Sequence, residues 1–64
     1  MRPEAAELSS LATTLADLNR RVTELAEKFG ADERTEDVSL ALFDAERTLR
    51  GTRRAIERAQ RMLR

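Results

Sequence analysis

Apolar residues recur through the first half of the chain at Leu8, Leu11, Leu15, Leu18, Val22, Leu25 and Phe29, with spacings that alternate between three and four. That rhythm is the seam of a helix packed lengthwise on another helix. Ala5, Ala12 and Ala26 lie beside the seam, and Asn19 is its one polar break. Pro3 suits the first turn of a helix, and Glu4 and Glu7 behind it complement the positive end of the helix dipole. Lys28 followed by Phe29 and Gly30 reads as a helix end. The pattern predicts a first helix over 4–29 and a polar turn over 30–35.

Asp32 or Thr35 can cap a second helix, with Glu36 and Asp37 in its first turn. Its stripe is Val38, Leu42, Ala45, Leu49, Thr52, Ile56, Ala59 and Leu63, flanked by Ala41, Thr48, Ala55 and Met62. This predicts a second helix over 36–63. Gly51 interrupts it off the seam, at a cost of about 1 kcal/mol relative to alanine. Gly51 marks either a close contact with another backbone or no feature at all. Thr52, with Thr48 beside it, and Asn19 on the first helix are polar insertions whose expected role is to fix register.

A short turn between two long helices makes them antiparallel neighbours. The expected fold is therefore all-α, a single domain over 1–64 built as a coiled-coil-like hairpin. The expected register pairs Phe29 with Val38, Leu25 with Leu42, Leu18 with Leu49 and Leu11 with Ile56. Val22 then meets Ala45, Leu15 meets Thr52 and Leu8 meets Ala59, setting large side chains against small ones.

Composition agrees with helix and limits the core. Ten of the 26 apolar residues are alanine; valine and isoleucine are scarce, and Tyr and Trp are absent. One pair of helices buries only one side of each, so the hairpin alone is short of apolar burial for a chain of this length. The expectation is a homodimer forming a four-helix bundle.

Charge is uneven along a formally neutral chain. Residues 1–46 hold eleven acids against five bases, whereas residues 47–64 hold seven arginines against the single acid Glu57. Folding the chain back puts the acidic turn at one end of the rod and the arginine-rich terminus at the other. Two such rods are expected to lie head to tail.

The residue inventory excludes much chemistry. Without Cys or His there are no disulfides, no thiolate or imidazole metal ligands and no Ser–His or Cys–His nucleophile. The seam is expected to carry no inward acid for a two-carboxylate metal site. No cofactor, metal site or catalytic residue is expected, and the protein is expected not to be an enzyme. No apolar run approaches membrane-spanning length, and the start MRPEAAELSS lacks the apolar segment of a secretory signal. A cytoplasmic protein that does not engage membranes is the expectation. Eleven Arg to one Lys matches the composition bias of GC-rich bacteria.

Two surfaces stand out. Leu40 and Phe43 fall off the seam on one helical track with Arg47 and Arg50, a combination that suits capture of a protein partner. The competing role for Leu40 and Phe43 is burial in the dimer. Arg47, Arg50, Arg54, Arg58 and Arg61 form an outward arginine face that could hold nucleic acid or another anion. Overall neutrality and the lack of stacking aromatics argue against nucleic acid. The plain role of this face is a solvated surface with i,i+4 pairs such as Glu46–Arg50 and Glu57–Arg61.

The segment EDVSLALFDAE, Glu36 to Glu46, resembles the start of the second helix in the small subunit of exonuclease VII. Members of that family are short helical hairpins acting as accessory subunits of a larger catalytic chain. The likeness spans eleven residues, and the longer turn and arginine-rich end here depart from it. What it implies is an accessory role in kind. The expected function is thus a small dimeric adaptor, regulator or accessory subunit that binds another protein, with anion binding by the arginine face as the alternative.

Overall fold

In the computed structural model, residues 2–63 are described; Arg64, the last of the seven terminal arginines, lies outside them. Two α-helices, α1 (Pro3–Gly30) and α2 (Glu36–Met62), pack side by side along a rod 50 Å long. A single 3-10 turn, Glu33–Thr35, joins them, and the described residues contain no strand.

The helix ends follow local chemistry. Arg2 is extended, and Pro3 opens α1, where its missing N–H costs nothing. At the other end α1 does not close through a left-handed residue. Ala31 stays right-handed, and its N–H and that of Asp32 reach back to the Lys28 and Phe29 carbonyls at 3.3 and 3.4 Å. The Thr35 hydroxyl donates to the Phe29 carbonyl at 2.7 Å, satisfying an acceptor that the helix leaves unpaired. The Asp32 carboxylate accepts from the Arg34 N–H at 2.9 Å and caps the 3-10 turn. Thr35 precedes α2 but makes no side-chain cap to it.

Gly30 sits at a close contact rather than at a left-handed helix stop. A Cβ there would lie 3.0 Å from Ser39 Oγ. Ser39 Oγ donates to the Ala26 carbonyl at 2.7 Å, so the two helices touch through their smallest residues just behind the turn. Gly51, by contrast, faces open space, with nothing within 4 Å of an added Cβ.

The helices meet along a different line from the one the leucine spacing predicts. On α1 the covered line is Ala5, Leu8, Ala12, Leu15, Asn19, Val22 and Ala26. On α2 it is Ser39, Leu42, Glu46, Leu49, Arg53, Ile56, Gln60 and Leu63. Half of the expected seam is kept: Leu8, Leu15 and Val22 still face Leu42, Leu49 and Ile56. The other half has rolled out. Leu11 and Leu25 are 45% and 48% exposed, and Val38, Ala45 and Thr52 are exposed with them. The register also slides. Asn19 bonds Glu46 and Ala26 bonds Ser39, two residues along α2 from where the expected pairing puts them.

The physical cause is size. Ala5, Ala12 and Ala26 form a shallow line on α1, and the polar residues Ser39, Glu46, Arg53 and Gln60 recur every seven residues on α2. Rolling each helix by part of a turn sets long side chains over small ones. The consequence is that, among the described residues, no large side chain is fully buried and Ala26 is the one buried apolar residue.

Candidate interaction site

Residues adjacent in sequence point about 100° apart round a helix. The roll therefore gives the hairpin two unlike faces. One side carries an open groove of about 360 Å³, lined by residues that include Asn19, Arg20, Thr23, Glu46, Arg50 and Arg53. The other side carries the stripes Leu11–Leu18–Leu25 and Val38–Ala45–Thr52–Ala59, one residue round from Asn19 on α1 and from Glu46 on α2.

Glu46 and Asn19 anchor the polar side, each only 8% exposed. The expectation of a seam without an inward acid is corrected here: Glu46 points into the interface. Asn19 Nδ2 donates to the Glu46 carbonyl at 2.9 Å and to Glu46 Oε2 at 3.2 Å. Arg50 donates to both Glu46 oxygens, at 2.6 and 2.8 Å through one guanidinium nitrogen. A buried carboxylate is tolerated when it is paired and hydrogen-bonded in this way. Asn19 Oδ1 and Arg53 Nε are buried at the same place and have no partner among the described residues. Of the residues expected to fix register, Thr48 and Thr52 are exposed and bond back to carbonyls one turn earlier on their own helix, whereas Asn19 does bridge the helices. The cross-helix bonds join Asn19 with Glu46 and Ser39 with Ala26.

Leu40 is 65% exposed and Phe43 40% exposed in the hairpin. Phe43 and Arg50 stand on the groove side of α2, with Leu40 and Arg47 further round. Arg47 is held by Asp44 and Arg50 by Glu46, so both cations arrive already paired. Arg54, Arg58 and Arg61 have no carboxylate within ion-pair distance among the described residues. The Glu57–Arg61 pair does not form, whereas Glu46–Arg50 does. The five arginines thus divide into two that are neutralised and three that are open.

Two aspartates are perturbed. A hydrogen bond from Arg20 holds the Asp17 carboxyl below its ordinary range, and Arg20 is raised in turn by Asp17 and Glu24. The Arg34 N–H, and then its guanidinium, lower Asp32. Both aspartates lie on the surface and do structural work at a helix flank and at the turn. Among the described residues no three carboxylates converge on a metal-sized site. No helix of the described residues is long and apolar enough to cross a membrane.

Comparison of the chain with protein-family models, with curated proteins and with solved structures finds no match in any of the three. The likeness of Glu36–Glu46 to the exonuclease VII small subunit remains an eleven-residue likeness.

Proposed function

We propose that the protein is a non-enzymatic helical interaction module, a small adaptor or accessory subunit whose first partner is a second copy of itself. One observation carries this reading. The hairpin fully buries no large side chain among the described residues, while Leu11, Leu25, Phe29 and Val38 stay open. Domains of this size are marginal even with a proper core, so the face that remains open is the place where stability must be completed. Two hairpins closing on those faces form a four-helix bundle.

In such a pair the polar groove side remains outward, and the stripe of Leu40, Phe43, Arg47 and Arg50 remains free for a different protein. An amphipathic segment with apolar anchors and acids suits it, because Leu40 and Phe43 supply apolar contact beside two guanidinium groups. The test combines sedimentation with circular dichroism across a dilution series. Mass and helicity are expected to fall together, because association completes the core. A monomer that stays fully helical at micromolar concentration overturns the reading.

The alternative reading, anion binding, has its own observation in the open cations Arg54, Arg58 and Arg61. Three phosphate contacts give a salt slope of about −3 for duplex DNA. Titration of a labelled duplex at low and moderate salt separates the readings: the adaptor reading expects no binding at low salt, and a steep salt-dependent isotherm favours the arginine face.

A further inference from the structure

We infer that the open apolar face closes on a second copy in head-to-tail orientation, with the two-fold axis crossing the bundle at Leu18, so that the dimer carries two polar grooves on opposite outer sides. This rests on the self-association proposed above and adds its geometry.

Two orientations bury the same face. In one the two turns lie together; in the other each turn lies beside the partner's termini. Size does not choose between them. Each copy brings leucines from α1 and small residues from α2, so a core layer holds the same side-chain volume either way. Charge does choose. The Asn19–Glu46 bond sets Leu18 level with Arg47, halfway along the rod. The half toward the turn, residues 18–47, holds eight acids against five bases. The half toward the termini, residues 1–17 and 48–64, holds seven bases against four acids. Each hairpin is therefore a dipolar rod, negative at the turn and positive at the termini. Turn-to-turn pairing sets like halves together; head-to-tail pairing sets each half on its opposite.

The stripe itself is centred for this arrangement. Leu11 and Leu25 lie equally far on either side of Leu18. A two-fold through Leu18 puts Leu18 on its own counterpart, Leu11 on the partner's Leu25, and Ala45 near the partner's Thr52. The groove side, rolled away from this face on each copy, then looks outward above and below. A partner segment that binds beside Phe43 and Arg50 finds two equivalent places, so the dimer is built to be bivalent.

The experiment measures the distance between spin labels on Ala31→Cys, at the exposed turn, in protein whose dimer mass is established by sedimentation on the same sample. Head-to-tail pairing about Leu18 is expected to separate the labels by roughly 40 Å, twice the rise of the thirteen residues between Leu18 and Ala31. Turn-to-turn pairing brings them within roughly 20 Å, about two helix–helix spacings, and overturns the orientation while leaving self-association intact. A monomer mass overturns both. Leu18→Cys checks the axis: oxidation is expected to give a covalent dimer, whereas Leu11→Cys alone gives none, and efficient crosslinking of Leu11→Cys in its place overturns the axis position. Raising salt is expected to weaken association of the unmodified protein, since it screens an attraction; tightening with salt contradicts the orientation without any label.

Discussion

The two faces of this hairpin come from the same two helices and nearly the same residues in sequence, yet they differ in what they lack. Asn19 and Glu46 sit on the groove side with their hydrogen bonds made within one chain. Half-buried Leu18 and exposed Ala45, one residue away on each helix, face the side that the hairpin leaves partly uncovered. The groove side carries the Asn19–Glu46 bonds that specify how α1 lies on α2. The apolar side is left open by the hairpin, and it is this side that the proposed second copy would cover.

The largest expected effect tests the open side. Leu25→Glu changes a residue that is 48% exposed in the hairpin, where an ordinary surface substitution shifts stability by no more than about 0.5 kcal/mol. With that face covered by a second copy, the substitution buries two unpaired carboxylates per dimer and costs several kcal/mol. Thermal unfolding at fixed concentration reads the difference, and Met62→Glu, at 81% exposure, is the control expected to be nearly silent.

The next tests the groove side. Asn19→Ala removes a buried donor from Glu46 and is expected to cost about 1–3 kcal/mol. Urea midpoints measure that loss. Asn19→Leu, which offers apolar bulk in place of the bond, is expected to recover stability while losing the single register that the bond enforces. Broadened amide resonances on α2 are the signature; sharp, unshifted resonances would show that Asn19 does not set alignment.

The two glycines sharpen the contrast between open and closed regions. Gly51→Ala, facing open space, is expected to raise stability by up to about 1 kcal/mol. Gly30→Ala gains the same propensity but brings a Cβ to 3.0 Å from Ser39 Oγ, so its melting temperature should rise less or fall. Equal gains at both positions would mean that the Ser39–Ala26 contact is soft.

The smallest effect is in acid. Asp32 is held below its ordinary 3.8 in the folded turn, so its stabilisation is fully present above that value. It declines as pH falls past 3.8 and is gone below the depressed native value. Asp32→Asn is expected to remove this part of the acid dependence of the melting temperature and leave the rest, which a series of melts between neutral and strongly acid pH resolves.

How much of this was written in the chain is best seen residue by residue. Leu8, Leu15, Val22, Leu42, Leu49 and Ile56 follow from the three-four spacing, because a helix allows only one face to such a repeat and that face must be covered. Leu11, Leu18, Leu25, Val38 and Ala45 follow as apolar, but spacing cannot say which helix covers them: a partner within the chain and a partner outside it produce the same pattern. Asn19 read as a polar break that fixes register, but its partner Glu46 read as a surface acid paired with Arg50. Their signal was present as a polar line every seven residues, Ser39–Glu46–Arg53–Gln60, set against the alanine line of α1. It is legible only once the two lines are matched across the turn.

The sequence by itself determined two antiparallel helices, the turn between them and an apolar stripe too wide for one neighbour. The tertiary structure decided how that stripe is divided. Covering is a local demand that each helix states in its own residues, whereas the angle at which two helices roll together depends on which side chains are long and which are short on both at once. Ala26 beneath Ser39 allows close contact there, and the roll that goes with it leaves Leu11 and Leu25 looking outward.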